Sequence, residues 1–193
     1  MKIVYLRHGE SKDDPGNQFG GWADFELTET GREQARNSIQ NLSDLQKNLN
    51  FKFDICIHSP LKRASEVAKI VSERLELSIE ELMWLKEKNG YGLLTGMEKE
   101  YAKVKYPELY KNILDGYIFG SEPEDKFIER VKISHDILKN RNQNILAVTH
   151  GGYLKKIIEH VYSRKFINAG NCGYIVIDTD TNTIVFSEGI GFE

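Results

Sequence analysis

Cysteine is scarce. The 193 residues hold two, Cys56 and Cys172, in separate apolar strand-like runs and with no CxxC or Cys/His spacing. This excludes a disulfide framework and a thiolate metal site, and it reads as two reduced, buried thiols in a cytoplasmic protein. Long apolar runs are missing too. No stretch approaches transmembrane length, and Met1-Lys2-Ile3-Val4-Tyr5-Leu6-Arg7 is too short for a secretory signal and reads directly as a strand. An excess of either charge is nearly absent: 26 Lys and Arg against 29 Asp and Glu leave a net charge of −3 and a pI of about 6.0. There is therefore no bulk attraction to nucleic acid or an anionic membrane, and any bound anion must meet a local cluster of basic groups. No repeat, low-complexity tract or linker interrupts the chain, so residues 1–193 are expected to form a single domain. No GxGxxG or GxxxxGK[ST] loop follows a strand, which argues against nucleotide binding.

What is present alternates. Lys2–Leu6, Phe53–Ile57 and Asn144–Thr149 are short apolar runs that read as buried strands. Between them lie amphipathic helices. One covers residues 29–48, with Ala35, Ile39, Leu42, Leu45 and Leu49 stepping by three or four. A second is expected from Ser59 as N-cap and Pro60 as first helical residue. A third starts near Pro123, and a fourth covers about residues 153–162. The middle, residues 79–120, is less regular, with one short helix over residues 101–106 stopped at Pro107. Two strands, residues 173–178 and 183–187, end the chain. This pattern predicts an α/β fold: a three-layer α/β/α sandwich whose central sheet is mostly parallel, with an antiparallel strand from the C-terminal hairpin.

Two strands end in His-Gly, Arg7-His8-Gly9 and Thr149-His150-Gly151, and a third ends in His58-Ser59-Pro60 with Arg63 one turn into the next helix. Ligands of open α/β sheets sit at the carboxyl ends of the strands. Arg7, His8, Arg63 and His150 are thus expected to converge, beside loops and helix N-termini suited to an anion. Glycines at 9, 151 and 152 allow a ligand close to the backbone. His135 and His160 fall within helices and read as structural or surface groups.

Arg7-His8-Gly9-Glu10-Ser11, Ser59-Pro60-Leu61-Lys62-Arg63-Ala64 and Thr149-His150-Gly151-Gly152 resemble, in order and over nearly the whole chain, the three motifs of the histidine phosphatase superfamily, which includes the phosphoglycerate mutases. The resemblance implies that His8 attacks phosphorus and becomes phosphohistidine, with no metal. Arg7, Arg63 and His150 would bind the phosphoryl oxygens and disfavour a protonated His8. It also implies a proton donor in a Leu-x-Glu stretch. Leu85-Lys86-Glu87 matches, making Glu87 the general acid and, toward water, the general base. Here Lys88-Asn89-Gly90 follows, one residue more than expected for the mutases.

Two outcomes compete. Asn17-Gln18-Phe19-Gly20-Gly21-Trp22 resembles the mutase loop that lines the substrate pocket, which implies substrate contacts from Asn17, Gly20 and Gly21. Tyr91 and Lys99 fall where mutases place contacting residues, Gly151 follows the second histidine, and Asn171 matches a supporting Asn. Asp14 stands where the family often has a phosphate-touching Asn, and its charge would repel phosphate. Against a mutase, Ile113-Leu114-Asp115-Gly116 lacks the family's second-anion Arg pair, Gly151-Gly152 replaces Gly-Asn, and the stretch between Gly96 and Thr149 is short. Gly120-Ser121-Glu122-Pro123 with Arg130 resembles the phosphatases. The resemblance favours a phosphomonoesterase acting on a small phosphorylated substrate without a cofactor. The alternative is a cofactor-dependent phosphoglycerate mutase, with 2,3-bisphosphoglycerate as phosphoryl donor, and a lower alternative is a non-catalytic phosphate-binding module. No exposed apolar stripe is readable, which leaves a homodimer open. Asp178-Thr179-Asp180-Thr181 imitates the Asp-nucleophile motif of Mg²⁺-dependent phosphatases but sits too near the C-terminus and reads as a hairpin turn.

Overall fold

A computed structural model describes every residue except Asp115, Tyr117 and the side chain of Leu114. Asp115, part of the stretch read as lacking the Arg pair, therefore lies outside the described residues. The elements are β1 (Lys2–Arg7), α1 (Glu29–Asn48), β2 (Ile55–His58), α2 (Lys62–Leu75), β3 (Ile79–Glu81), α3 (Lys99–Lys105), α4 (Pro107–Leu114), α5 (Glu124–Lys139), β4 (Ile145–Thr149), α6 (Gly151–Lys156), β5 (Phe166–Asp178) and β6 (Thr183–Phe192). Single 3-10 turns occur at Met83–Leu85 and Gly92–Leu94, and α6 runs on into a π-helical turn, Ile157–Val161.

The six-stranded sheet has the order β3-β2-β4-β1-β5-β6. β3, β2, β4 and β1 pair in parallel, whereas β5 is antiparallel to both β1 and β6. Side chains alternate across the sheet as the strand period requires. Ile3, Tyr5, Ile57, Ala147 and Ile175 pack with Phe127 and Val131 of α5 and Tyr153 and Leu154 of α6. Val4, Leu6, Cys56, Val148 and Val176 pack with Ala35 and Leu42 of α1 and Val67 and Val71 of α2. The result is the three-layer sandwich. A third, smaller cluster of Phe19, Leu94, Ala102 and Ile118 lies apart from both faces. Among the described residues, no helix is long and apolar enough to cross a membrane.

Several local readings change. Ser59 does not cap α2: the cap is Leu61, and the helix begins at Lys62. Pro107 does not merely stop a helix but opens the next one, where its missing N–H costs nothing. β3 is an additional edge strand, and β5 and β6 extend well beyond the expected hairpin. The Asp178 region is a turn: its carboxylate accepts the backbone N–H groups of Asp180 and Thr181 and pairs with Lys2 at 2.6 Å.

Candidate active site

The register of the sheet creates the site. Leu6 of β1 lies level with Val148 of β4, Arg7 with Thr149, and His58 of β2 with Val148. Parallel strands that end level bring the next residues together, so His8 and His150 emerge side by side with ring centroids 5.1 Å apart. The sheet hydrogen bonding continues one residue further, from His8 N to the Thr149 carbonyl at 3.1 Å. Gly9 has a specific reason. A Cβ there would come within 2.5 Å of the Gly31 carbonyl of α1, so the close approach it permits is to the helix start rather than to a ligand. That helix start is capped by Thr28, whose hydroxyl accepts the Gly31 N–H at 3.0 Å.

His8 is buried. Its Nδ1–H donates to the Gly9 carbonyl at 2.7 Å, and its Nε2 accepts from Arg63 Nε at 3.2 Å. This network assigns the proton to Nδ1 and leaves the Nε2 lone pair facing the cation. Burial, then the charges of Arg63 and Arg7, hold the His8 imidazole well below the usual histidine range, so it is neutral. Burial, Arg63, His8 and Arg7 act on His150 in the same direction. Arg63 spends its other donors on the front loop, to the Ala23 carbonyl at 2.9 Å and the Gly21 carbonyl at 2.8 Å. Burial pulls its guanidinium down, and the carboxylates of Glu87, Asp13, Asp14 and Asp24 act the other way. Arg7 reaches the Ala169 carbonyl with one terminal nitrogen, and its buried Nε has no protein partner.

A cavity of about 380 Å³ opens over this cluster. It is lined by Arg7, His8 and Arg63 below, by Asp13, Asp14, Gly20 and Gly21 in front, and by Glu87, Tyr91, Lys99 and Gly152 above. Glu87 is held by two backbone donors: Lys88 N to Oε1 and Gly152 N to Oε2, both 2.9 Å. Gly152 leaves room for it, since a Cβ there would fall 2.3 Å from Oε1. Tyr91 stacks on Phe19 with centroids 4.8 Å apart, and burial, then Glu87 and Asp13, raise its phenol.

Not every expected residue arrives. Asn17 is exposed in a left-handed turn at φ 47° and lies outside the lining, its carbonyl accepting Lys99 N at 3.0 Å. Gly151 sits against the Arg7 side chain, and it is Gly152 that reaches the cavity. Asn171 lines a separate recess between α1 and the β5–β6 hairpin, with Gln34, Asn41 and Glu188. His58 turns to the Ser59 carbonyl. Conversely, Ser59 was read only as a cap, yet its hydroxyl pairs with His150 Nε2 at 2.7 Å. Its place at a strand end beside His58 was the available signal. Asp13 gave no comparable signal.

A neutral imidazole whose Nε2 lone pair is shared only with the Arg63 guanidinium can attack a phosphoryl group that takes over that guanidinium. The family model described as histidine phosphatase superfamily (branch 1) matches residues 3–188. The chain belongs to the histidine phosphatase superfamily. Among relatives of this superfamily member is a 2,3-bisphosphoglycerate-dependent phosphoglycerate mutase of Nautilia profundicola, 38% identical over 120 residues. That match spans 59% of this chain and about half (51%) of the relative. Another, from Buchnera aphidicola subsp. Cinara cedri, is 31% identical and covers 83% of each chain. Similar solved folds are an alpha-ribazole phosphatase from Shigella flexneri and a mycobacterial glucosyl-3-phosphoglycerate phosphatase. The first has TM-score 0.78 and 24% identity, covering 92% of this chain and 90% of that one. The second has TM-score 0.74 and 19% identity, covering 100% and 95%.

Proposed function

We propose that the protein is a metal-independent phosphomonoesterase that hydrolyses a small phosphate ester through a phosphohistidine on His8. The charge of the cavity wall carries the choice of hydrolysis. Four cations (Arg7, Arg63, Lys88, Lys99) face three carboxylates (Asp13, Asp14, Glu87), and Lys88 is already paired with Glu124. That balance suits one phosphoryl dianion at the Arg end. A bisphosphorylated donor needs a second cationic grip, and at the mouth it meets Asp13 and Asp14 instead.

In the first step His8 Nε2 forms a bond to phosphorus as the bond to the ester oxygen breaks. Glu87 delivers a proton to the departing alkoxide. Arg7 and Arg63 take up the charge on the phosphoryl oxygens. In the second step Glu87 removes a proton from water, which attacks phosphorus and breaks the N–P bond, releasing phosphate. Neutral His8 is ready for this chemistry even in mild acid, because its protonation is held below the ordinary histidine range.

The second reading, a 2,3-bisphosphoglycerate-dependent mutase, is favoured by the curated relatives and by the Gly20-Gly21 loop beside Tyr91 and Lys99. One experiment separates the two. Phosphate release from p-nitrophenyl phosphate and from 3-phosphoglycerate is measured with EDTA present, and 2-phosphoglycerate is measured after adding catalytic 2,3-bisphosphoglycerate. Phosphate release that survives EDTA and disappears in His8→Ala is expected. Isomerisation outrunning phosphate release would replace hydrolysis with mutase activity.

A further inference from the structure

Glu87 sits in an irregular stretch, outside any strand or α-helix, between the 3-10 turns at Met83–Leu85 and Gly92–Leu94. A general acid must nevertheless be placed to within a fraction of an ångström. One side chain outside the cavity gathers that stretch. Arg130 of α5 donates from one terminal nitrogen to the carbonyls of Trp84 and Lys86, both at 2.8 Å, and from the other to the carbonyl of Glu87 at 3.2 Å. The guanidinium is itself fixed by a two-pronged pair with Glu122: Nε to Oε1 and a terminal nitrogen to Oε2, each 2.8 Å. Glu122 Oε2 also accepts the Asn89 N–H at 3.2 Å, and the Asn89 carbonyl accepts the Glu122 N–H at 2.7 Å. Both charged side chains are largely sheltered, 15% and 13% exposed. The Arg130 guanidinium also lies 4.8 Å from the centre of the Phe127 ring.

We infer that Arg130, locked by Glu122, is the positioning residue of the general acid. It fixes the backbone on both sides of Glu87, and so sets where the carboxyl meets the leaving oxygen. The inference rests on the reading of Glu87 as the acid. Geometry suits the task to Arg: its planar fork serves three carbonyls and a carboxylate together, which an ammonium group cannot do. Trp22 Nε1 of the front loop also donates to the Glu87 carbonyl, at 2.7 Å, so the peptide is held by two side chains. Arg130 touches neither substrate nor His8, and its loss leaves the nucleophile and the phosphate cations in place.

The test uses two esters that differ in need for an acid. p-Nitrophenolate leaves unprotonated, whereas the alkoxide of β-glycerophosphate must be protonated as it leaves. Values of kcat/KM, which report transfer to His8, are measured on both esters for wild type, Arg130→Lys, Arg130→Met and Glu122→Gln. Lys126→Ala, in an exposed pair with Glu129 on the same helix, serves as control. The ratio of the two values on one preparation cancels any difference in folded fraction. Arg130→Met is expected to lose about 10²-fold on the alkyl ester and less than about fivefold on the aryl ester. Arg130→Lys is expected to recover only part of the loss, with Glu122→Gln between Met and wild type. Equal losses on both esters, or none on either, overturn the positioning role while the phosphatase reading stands. A wild-type protein that hydrolyses neither ester overturns that reading and the inference with it.

Discussion

The floor and the roof of the cavity are built by different means. The floor is His8 and Arg63, with the His150 ring packed against His8; all three are at most 6% exposed and follow closely on a strand end. Their positions follow from ladder register between β1, β4 and β2, which the buried faces of the sheet specify strongly. The roof, drawn from the described residues between Glu87 and Ser121, has one 3-10 turn, the short α3 and α4, and a small apolar cluster that Leu94 forms with Phe19. It is tied down by individual long-range bonds: Phe19 N to Met97 O, Gly96 N to Phe19 O, and the Arg130 clasp. Leu93, Val104 and Phe119 remain exposed on it. The difference teaches a division of labour. Secondary structure secures His8, whereas single side chains secure Glu87 and the cavity walls.

The largest effect is expected from breaking the floor. Arg63→Met should lower kcat/KM for p-nitrophenyl phosphate about 10³-fold, on the order of 4 kcal/mol, and should also lower the melting temperature, because the Gly21 and Ala23 carbonyls lose their donor. A loss below tenfold would show that the floor cation is dispensable.

Acid should also weaken the packing of α5 against the sheet. His135 lies in the α5 layer, between the hydroxyls of Tyr5 (2.9 Å) and Tyr162 (3.2 Å), and burial lowers it to about 4. In the unfolded chain it titrates near the ordinary histidine value of 6.5, so between these limits the unfolded chain binds more protons. Its contribution is full above the upper value and is lost as pH falls toward the lower. Urea unfolding at pH 7.5 and pH 5 should differ by roughly 2 kcal/mol from this group alone, and His135→Gln should flatten the slope by that amount. An unchanged slope would remove His135 from the account.

A smaller effect sharpens the roof. Gly152→Ala places a methyl group against the Glu87 carboxylate. It should lower kcat/KM for β-glycerophosphate roughly 30-fold while sparing p-nitrophenyl phosphate. Equal losses on both would mean that Gly152 serves the floor. The smallest effect is expected at the mouth. Asp14→Asn should raise kcat/KM for 3-phosphoglycerate about threefold, the scale of one screened charge, and the gain should shrink in high salt.

The floor was legible in the sequence because its determinants are local. A short apolar run, a His-Gly end and an Arg at the start of the next helix are neighbours in the chain, and α1 was bounded at Glu29 and Asn48 as observed. Ser59 misled because Ser-Pro matches a cap, whereas its hydroxyl is engaged by His150 from 91 residues away. The ends of β5 and β6 were hidden by glycines and by register shifts that break the alternation between Phe166 and Tyr174. β3 has only three residues at a sheet edge, too few for a periodic signal. Asn17 and Asn171 were placed by resemblance alone, and the turn at one and the bulged strand at the other carry them away from the cavity. Glu87 was located the same way, and the bonds that hold it come from Gly152 and Arg130, 65 and 43 residues distant.

The bond between the Gly152 amide and the Glu87 carboxylate gives the protein a built-in reporter. That amide proton points at a side chain rather than into a helix or strand ladder. Its NMR resonance therefore reads the carboxylate directly, moving upfield when Glu87 takes a proton and back when the proton leaves. Following one peak through a titration, with inorganic phosphate present and absent, would display the protonation of Glu87 without any turnover.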